Sequence, residues 1–118
     1  ASLISKVKSP YNISSINIQM ALMQLDNIED YQFKLNEILQ EKKWLEKQLN
    51  ELDSIKKLYP SQANFFLVEL DNAENIYQKL LEKNILTSKI FPSITGCLRI
   101  NVGTSEENAL LIKTLKTL

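Results

Sequence analysis

From Asp26 to Leu58 the chain contains neither glycine nor proline, and this uninterrupted stretch constrains the fold more than any other feature. Asp26 and Glu29, in the motif DNIE, form a predicted capping box at which a helix begins. Tyr59 is its predicted end, because a proline biases the residue before it away from helical angles. Apolar or aromatic residues recur at helical spacing, at positions 28, 31, 35, 38, 45, 49, 52 and 59. The pattern predicts one long helix of roughly nine turns with a charged, solvated opposite face.

A shorter helix is predicted just before the long one, over residues 16–25. The segment SPYNISS (9–15) supplies turn and capping residues, and the residues after it are almost all apolar. The apolar surface of such a helix is too wide for a single face, so we expect another element to cover it.

The second half of the chain alternates between strand and helix patterns. Asp71 with Glu74, and Thr104 with Glu107, form two further predicted capping boxes, and Asn84 is a predicted left-handed helix end. The predicted elements are a strand at 64–70, a helix at 71–84, a strand at 85–88, a loop at 89–96, a strand at 97–102 and a helix from 104 onward. The order α-α-β-α-β-β-α predicts a single α+β domain over 1–118, with a three-stranded sheet covered on one face by helices.

Composition excludes several classes of function. The chain has 118 residues, a net charge of zero and no histidine. It therefore lacks the basic excess expected of a nucleic-acid or membrane-surface partner, and it cannot build a Ser-His-Asp triad or a histidine-bound metal site. No apolar run is long enough to span a membrane. The one cysteine, Cys97, cannot form an intrachain disulfide, which fits a reducing, cytoplasmic compartment.

Arg99 is the one arginine among fourteen basic residues, and it lies between the two glycines, Gly96 and Gly103. In a strand over 97–102, alternation places Cys97, Arg99 and Asn101 on the face opposite three apolar side chains. Arg99 is either an ordinary exposed residue of an open sheet face or an anion receptor. Guanidinium suits the second role, because its planar fork binds a carboxylate or phosphate with two parallel hydrogen bonds.

The segment GCLRINVGTSEENALLIKTL (96–115) resembles the C-terminal end of histidinol-phosphate aminotransferases, which are pyridoxal-phosphate enzymes of the aspartate aminotransferase fold. The family reads roughly G-C-L-R-I-T-V-G-T-x-E-E-N there, before a leucine-rich helix, and Asn101 is the one departure within that core. KVKSPYNISSINIQMAL (6–22) is similar to the family's K-x-x-P-Y-N-x-N/S segment. The strand, helix and strand of 64–88 occur in the family's order, so the resemblance covers nearly the whole chain.

The resemblance implies that the chain is the small C-terminal domain of a longer enzyme, which also accounts for its beginning at Ala1 rather than at a methionine. The large domain would hold the cofactor, and no lysine here lies in the family's S-K-x-x-x-L-A-G-x-R context. The resemblance thus implies no catalytic, cofactor-binding or metal residue in this chain, and no activity for this piece alone. For the full-length enzyme it implies pyridoxal 5'-phosphate, a homodimer, and amino transfer between histidinol phosphate and 2-oxoglutarate or glutamate in histidine biosynthesis.

Arg99 matches the arginine of the family's L-R-I motif, and the resemblance implies that it binds the acidic group of the substrate. Tyr11 and Asn12 match P-Y-N and are weaker candidates near a subunit interface; a turn with a capping asparagine explains them equally well. The family usually has a second arginine where this chain has Ser88 and Lys89, before a shorter loop. Either Lys89 substitutes as the cation or the handling of the substrate differs, as in a related aminotransferase of other specificity.

Cys97 and Trp44 are expected to have structural roles, and the long predicted helix supports an alternative function. Cys97 is expected to be a small strand residue rather than a nucleophile, because no histidine is available to activate it. Trp44 is expected to pack against another element or domain. The alternative function is a non-catalytic helical interaction module, in which the stripe over 28–59 is a coiled-coil seam. Lys42 and Lys56 interrupt that seam.

Overall fold

The computed structural model describes residues 13–89 and 94–118. Its elements are α1 (Ser15–Asp26), α2 (Ile28–Asn50), β1 (Ile55–Tyr59), β2 (Phe65–Leu70), α3 (Ala73–Glu82), β3 (Ser88–Lys89), β4 (Cys97–Asn101) and α4 (Ser105–Leu115). The α+β class is confirmed, with four strands instead of three.

Contacts divide the chain into two units, one ending at Leu35 and one running from Asn36 to Leu118, so the boundary lies inside α2. No helix of the described residues is both long and apolar enough to cross a bilayer.

The described residues of the first unit, 13–35, are largely helical, and their apolar side chains are exposed. Ser14 caps α1, because its hydroxyl accepts from the backbone N–H of Asn17 over 3.3 Å. The prediction of Asp26 as the cap of the long helix is wrong. Asp26 is the last residue of α1, and the Asn27 carbonyl accepts the first helical hydrogen bond of α2, from Tyr31.

The long helix ends nine residues before its predicted stop, and residues 55–59 form a strand. Leu52 is buried in the turn after α2, where its N–H donates to the Leu49 carbonyl over 3.2 Å. The chain then pairs antiparallel with β2, with Leu58 opposite Val68. As a strand, β1 satisfies the backbone groups along one edge of β2, which a continued helix would leave unpaired.

The four strands form one antiparallel sheet in the order β1-β2-β4-β3. Phe66, Val68, Leu98 and Ile100 alternate onto one face and are buried there. In the second unit, the same cluster includes side chains from the C-terminal half of α2, from α3 and from α4: Leu45, Leu49, Ala73, Ile76, Leu80, Leu111, Ile112 and Leu115. The predicted arrangement of helices on one face of the sheet is thus observed.

The ends of α3 and α4 test the remaining helix predictions. Asn72, not Asp71, caps α3 by accepting from Asn75 over 3.3 Å, because the Asp71 carboxylate pairs with Lys56 instead. Asn84 has φ of 59° and ends α3 as predicted. The predicted strand at 85–88 is shorter and later, at Ser88–Lys89. The capping box of Thr104 and Glu107 is confirmed in α4.

Candidate anion site on the open face of the sheet

Arg99 lies in the middle of β4, opposite Leu67 of β2 on one side and Ser88 of β3 on the other. Its neighbours Leu98 and Ile100 point into the core, so alternation turns Arg99 to the face that those helices leave open. The side chain is half-buried. Strand pairing therefore fixes the arginine on an inner strand, bordered by one aliphatic and one hydroxyl side chain.

The guanidinium has neutral neighbours. Nη2 donates a hydrogen bond to Ser88 Oγ over 3.2 Å, and the Phe65 ring centre lies 5.4 Å from Cζ. The Nε–H is buried and has no hydrogen-bond partner among the described residues. Within the described ranges, no carboxylate forms an ion pair with Arg99. A buried donor without a partner costs about 1–3 kcal/mol, and a charged one costs more. An incoming anion would therefore gain by pairing with a guanidinium to which the described residues offer no carboxylate.

Lys89 is not brought to Arg99. It pairs with Leu98 rather than Arg99, so alternation sends its side chain to the other face of the sheet. Its amine there lies 2.6 Å from a Glu74 carboxylate oxygen and 4.3 Å from the Tyr77 ring centre. The hydrogen bond from Lys89 holds the pKa of Glu74 below its ordinary value of 4.5. The geometry does not favour Lys89 as a second cation of the Arg99 site.

The open face also carries Tyr59, Glu69 and Cys97. Tyr59 donates to Glu69 Oε2 over 3.0 Å, and this hydrogen bond raises the pKa of the tyrosine above 10.0. Cys97 pairs with Glu69 across the strands and is 2% exposed, and burial raises the pKa of its thiol. A buried, protonated thiol is a poor nucleophile, which agrees with its predicted role as a small strand residue.

A compact turn fixes the end of β4 next to the site. The Asn108 side chain is 2% exposed, accepts from the Gly103 N–H over 3.0 Å and donates to the Gly103 carbonyl over 3.1 Å. It also donates to Glu41 Oε2 over 2.9 Å. The sequence reasoning missed this residue. Its only signal was a polar side chain on the apolar face of α4, three residues before Leu111.

The structure does not test the weaker candidates at the N-terminus. Tyr11 and Asn12, and also Pro92 of the predicted loop, lie outside the described residues. Trp44 is 40% exposed on α2. Among residues 13–89 and 94–118, no group of three or more Cys, His, Asp or Glu side chains is placed to hold a metal ion.

The second unit has two cavities that Arg99 does not line. The larger, about 470 Å³, is lined by segments 84–87 and 100–103 and by α4, and contains no lysine. The smaller, about 320 Å³, includes Lys42, whose amine donates to the Ser61 carbonyl over 2.6 Å. Pyridoxal phosphate needs a lysine amine together with partners for its ring nitrogen and phosphate. The residues around these cavities do not fit that cofactor.

Comparison with known proteins identifies the family of this chain. The family model described as "Aminotransferase class I and II" matches residues 1–115. The chain belongs to this aminotransferase family. It is 39% identical to a histidinol-phosphate aminotransferase of Christiangramia forsetii over 118 residues, which cover 98% of this chain and 34% of that protein. It is 40% identical to one from a Thermoanaerobacter species, with 98% and 33% covered.

Two solved structures share the fold of this chain. A histidinol-phosphate aminotransferase from Clostridium acetobutylicum superposes with a TM-score of 0.81 at 25% identity, over 98% of this chain and 36% of that one. A decarboxylase from Sulfurospirillum multivorans gives 0.77 at 25% identity, over 91% and 32%. The chain thus spans about a third of the length of the curated relatives it matches.

Proposed function

We propose that this chain is the C-terminal domain of a pyridoxal-phosphate-dependent histidinol-phosphate aminotransferase, and that Arg99 binds an acidic group of the substrate. The observation that carries the role of Arg99 is its half-buried guanidinium, which has only neutral partners among the described residues. The observation that supports the reaction is the identity to histidinol-phosphate aminotransferases along 98% of the chain.

The domain would contribute binding and orientation rather than bond making. Pyridoxal phosphate, held by a part of the enzyme outside this chain, would supply the electron sink for amino transfer. Arg99 would hold the acidic group of the bound substrate, so that its amine lies in reach of the reacting centre. The half-buried setting strengthens this attraction, because a charge partly withdrawn from water is less screened.

The finer parts of the proposal follow from the relatives' names and from the resemblance. The amino group would pass between histidinol phosphate and 2-oxoglutarate or glutamate, in a cytoplasmic homodimer. Tyr11 and Asn12 would lie near the neighbouring subunit's site.

A chimera tests the function directly. The last third of the Christiangramia forsetii relative is replaced by this chain, and transamination of histidinol phosphate with 2-oxoglutarate is measured. We expect turnover well above that of the relative's first two thirds alone, which serves as the control. A chimera that retains the visible absorbance of bound cofactor, yet fails to convert histidinol phosphate, would contradict the proposal.

A helical interaction module is the second candidate, favoured by the exposed apolar side chains of residues 13–39. Those more than half exposed are Ile13, Ile16, Met20, Leu22, Met23, Leu25 and Phe33. Because α2 ends at Asn50, residues 51–59 are not part of the helix on which the seam was predicted. Circular dichroism at several protein concentrations discriminates: a helical signal that melts at higher temperature as concentration rises would favour self-association.

A further inference from the structure

We propose that Asn108 is a positioning residue for Arg99, because its side-chain amide holds the strand that carries the arginine against α2. This inference rests on the proposed role of Arg99 and deepens it. The amide is 2% exposed and makes three hydrogen bonds. Two of them join it to Gly103, from whose N–H it accepts at 3.0 Å and to whose carbonyl it donates at 3.1 Å. The third is a donation to Glu41 Oε2 at 2.9 Å.

The bonds to Gly103 hold β4 where the chain leaves the sheet. The Val102 N–H donates to the Asn64 carbonyl at 2.8 Å, which pairs this segment with the start of β2. Gly103 follows, and both of its backbone polar groups are bonded to the one amide. Arg99 lies four residues before Gly103 on the same segment. A shift at this end therefore moves the backbone from which the guanidinium extends.

The bond to Glu41 connects the same amide to a helix whose position is fixed by the core. Leu45 and Leu49 follow Glu41 on α2 by about one and two turns, and both are fully buried. Residues four apart share a face of a helix, so Glu41 lies on the face of α2 that packs into the core. The packing of α2 thus holds the Glu41 carboxylate, and the carboxylate in turn holds the amide.

A polar side chain at this buried position fixes geometry in a way that an apolar one would not. Apolar packing is non-directional, whereas a hydrogen bond weakens steeply when its donor and acceptor move out of line. An amide with three bonds therefore sets both the distance and the orientation of β4 relative to α2 and α4. A group that orients a substrate needs such support, because a misplacement of about 1 Å can cost about a hundredfold in rate.

The single arginine reports on its own position. The 118-residue chain is prepared with ¹⁵N-arginine, and exchange of the one Nε–H with water is measured at neutral pH. This N–H is buried, so its exchange requires a local opening. We expect Asn108→Ala to speed the exchange about tenfold or more. The matched control is Leu115→Ala, which removes a buried side chain about 15 Å further along α4. It should change the rate by less than about twofold.

Glu41 supplies milder variants that keep the bonds to Gly103. Glu41→Ala should speed the exchange about three- to tenfold, because one hydrogen bond of the amide is lost. Glu41→Gln keeps an acceptor oxygen and should stay within about twofold of the parent chain. Glu46→Ala removes the same charge from an exposed position of α2 and should leave the rate unchanged. Equal rates in Glu41→Ala and Glu46→Ala, or equal acceleration by Asn108→Ala and Leu115→Ala, would overturn the inference.

Kinetics of the chimera separate this inference from the proposed function. Glu41→Ala should raise KM for glutamate about threefold or more, whereas Glu41→Gln should stay close to the parent value. If Arg99→Lys raises KM and Glu41→Ala does not, the positioning role is overturned while the proposed function stands. The exchange measurement does not depend on the proposed function, so the two can fail separately.

Discussion

Asn108 and Gly103 are joined by two hydrogen bonds between one side-chain amide and one backbone residue, at 3.0 Å and 3.1 Å. Gly103 lies two residues after the end of β4, and Asn108 is buried in α4. The third bond of the amide reaches Glu41 on α2, 67 residues earlier in the chain. The amide thus ties the strand that carries Arg99 to two helices of the same unit.

Asn108→Ala is expected to lower the free energy of unfolding by about 3 kcal/mol, because it leaves two backbone groups and a carboxylate without their partner. Urea unfolding followed by circular dichroism measures the change. Asn50→Ala is the matched control, since the Asn50 amide makes one exposed hydrogen bond to the Glu46 carbonyl. The control should change stability by less than about 0.5 kcal/mol. A similar small loss in Asn108→Ala would show that the amide is not a structural tie.

Gly103→Ala is expected to cost about 1–2 kcal/mol through the capping box. An added Cβ would lie 2.6 Å from Glu107 Oε2 and 3.0 Å from Glu107 Cβ. The Glu107 carboxylate would have to move away and lose the hydrogen bond that it accepts from the Thr104 N–H at 2.8 Å. In a Glu107→Ala background the closest of these contacts is gone, so the cost of the alanine should fall by at least half. Equal costs in both backgrounds, measured by urea unfolding, would contradict this cause.

The sequence predicted most helices and the strand that carries Arg99, because periodicity and capping are local signals. The capping box at Thr104 shows this, since both of its partners lie within one turn. The same reasoning failed at residues 51–59. Apolar residues there keep helical spacing and no glycine or proline marks the turn, yet pairing with β2 converts 55–59 into a strand. That pairing depends on residues eight to fifteen positions away, outside the window that helical spacing examines.

For the candidate site, too, local features could be predicted from the sequence and non-local contacts could not. Alternation within β4 was enough to place Arg99 opposite the core face. Its partners could not be predicted, because Ser88 and Phe65 reach it only through the β3–β4 and β2–β4 pairings. The two-residue β3 also decides that Ser88, and not Lys89, faces the guanidinium. A shift of one residue in that ladder would exchange them.

Acid should weaken the fold partly through the Lys89–Glu74 pair. The folded-state pKa of Glu74 is below its ordinary 4.5, so the pair stabilises the fold above that pH and loses this effect as pH falls through the folded value. Glu74→Gln should therefore show a shallower loss of thermal stability from about pH 6 to about pH 3. Glu82→Gln, at an exposed position of the same helix, is the control. Parallel curves for the parent chain and Glu74→Gln would contradict the assignment.

The 118-residue chain by itself is expected to show no transaminase activity and no visible absorbance from pyridoxal phosphate. The physical reason is that the larger cavity contains no lysine, and that the amine of Lys42 in the smaller cavity already donates to the Ser61 carbonyl. Neither cavity offers a free lysine together with the ring and phosphate partners that the cofactor requires. The measurement is an absorption spectrum after incubation with the cofactor and gel filtration. A cofactor band that stays with the chain would contradict this expectation.

The role of Arg99 as receptor for the substrate's acidic group is tested most directly by Arg99→Lys in the chimera with the Christiangramia forsetii relative. Lysine keeps the charge but loses the two-pronged hydrogen bonding, so one charge-assisted bond of about 1.5–3 kcal/mol is lost. We predict that KM for glutamate rises roughly ten- to hundredfold, with a much smaller change in kcat, whereas Lys113→Arg, an exposed exchange on α4, leaves both unchanged. A KM for Arg99→Lys within about twofold of the parent value would contradict the account.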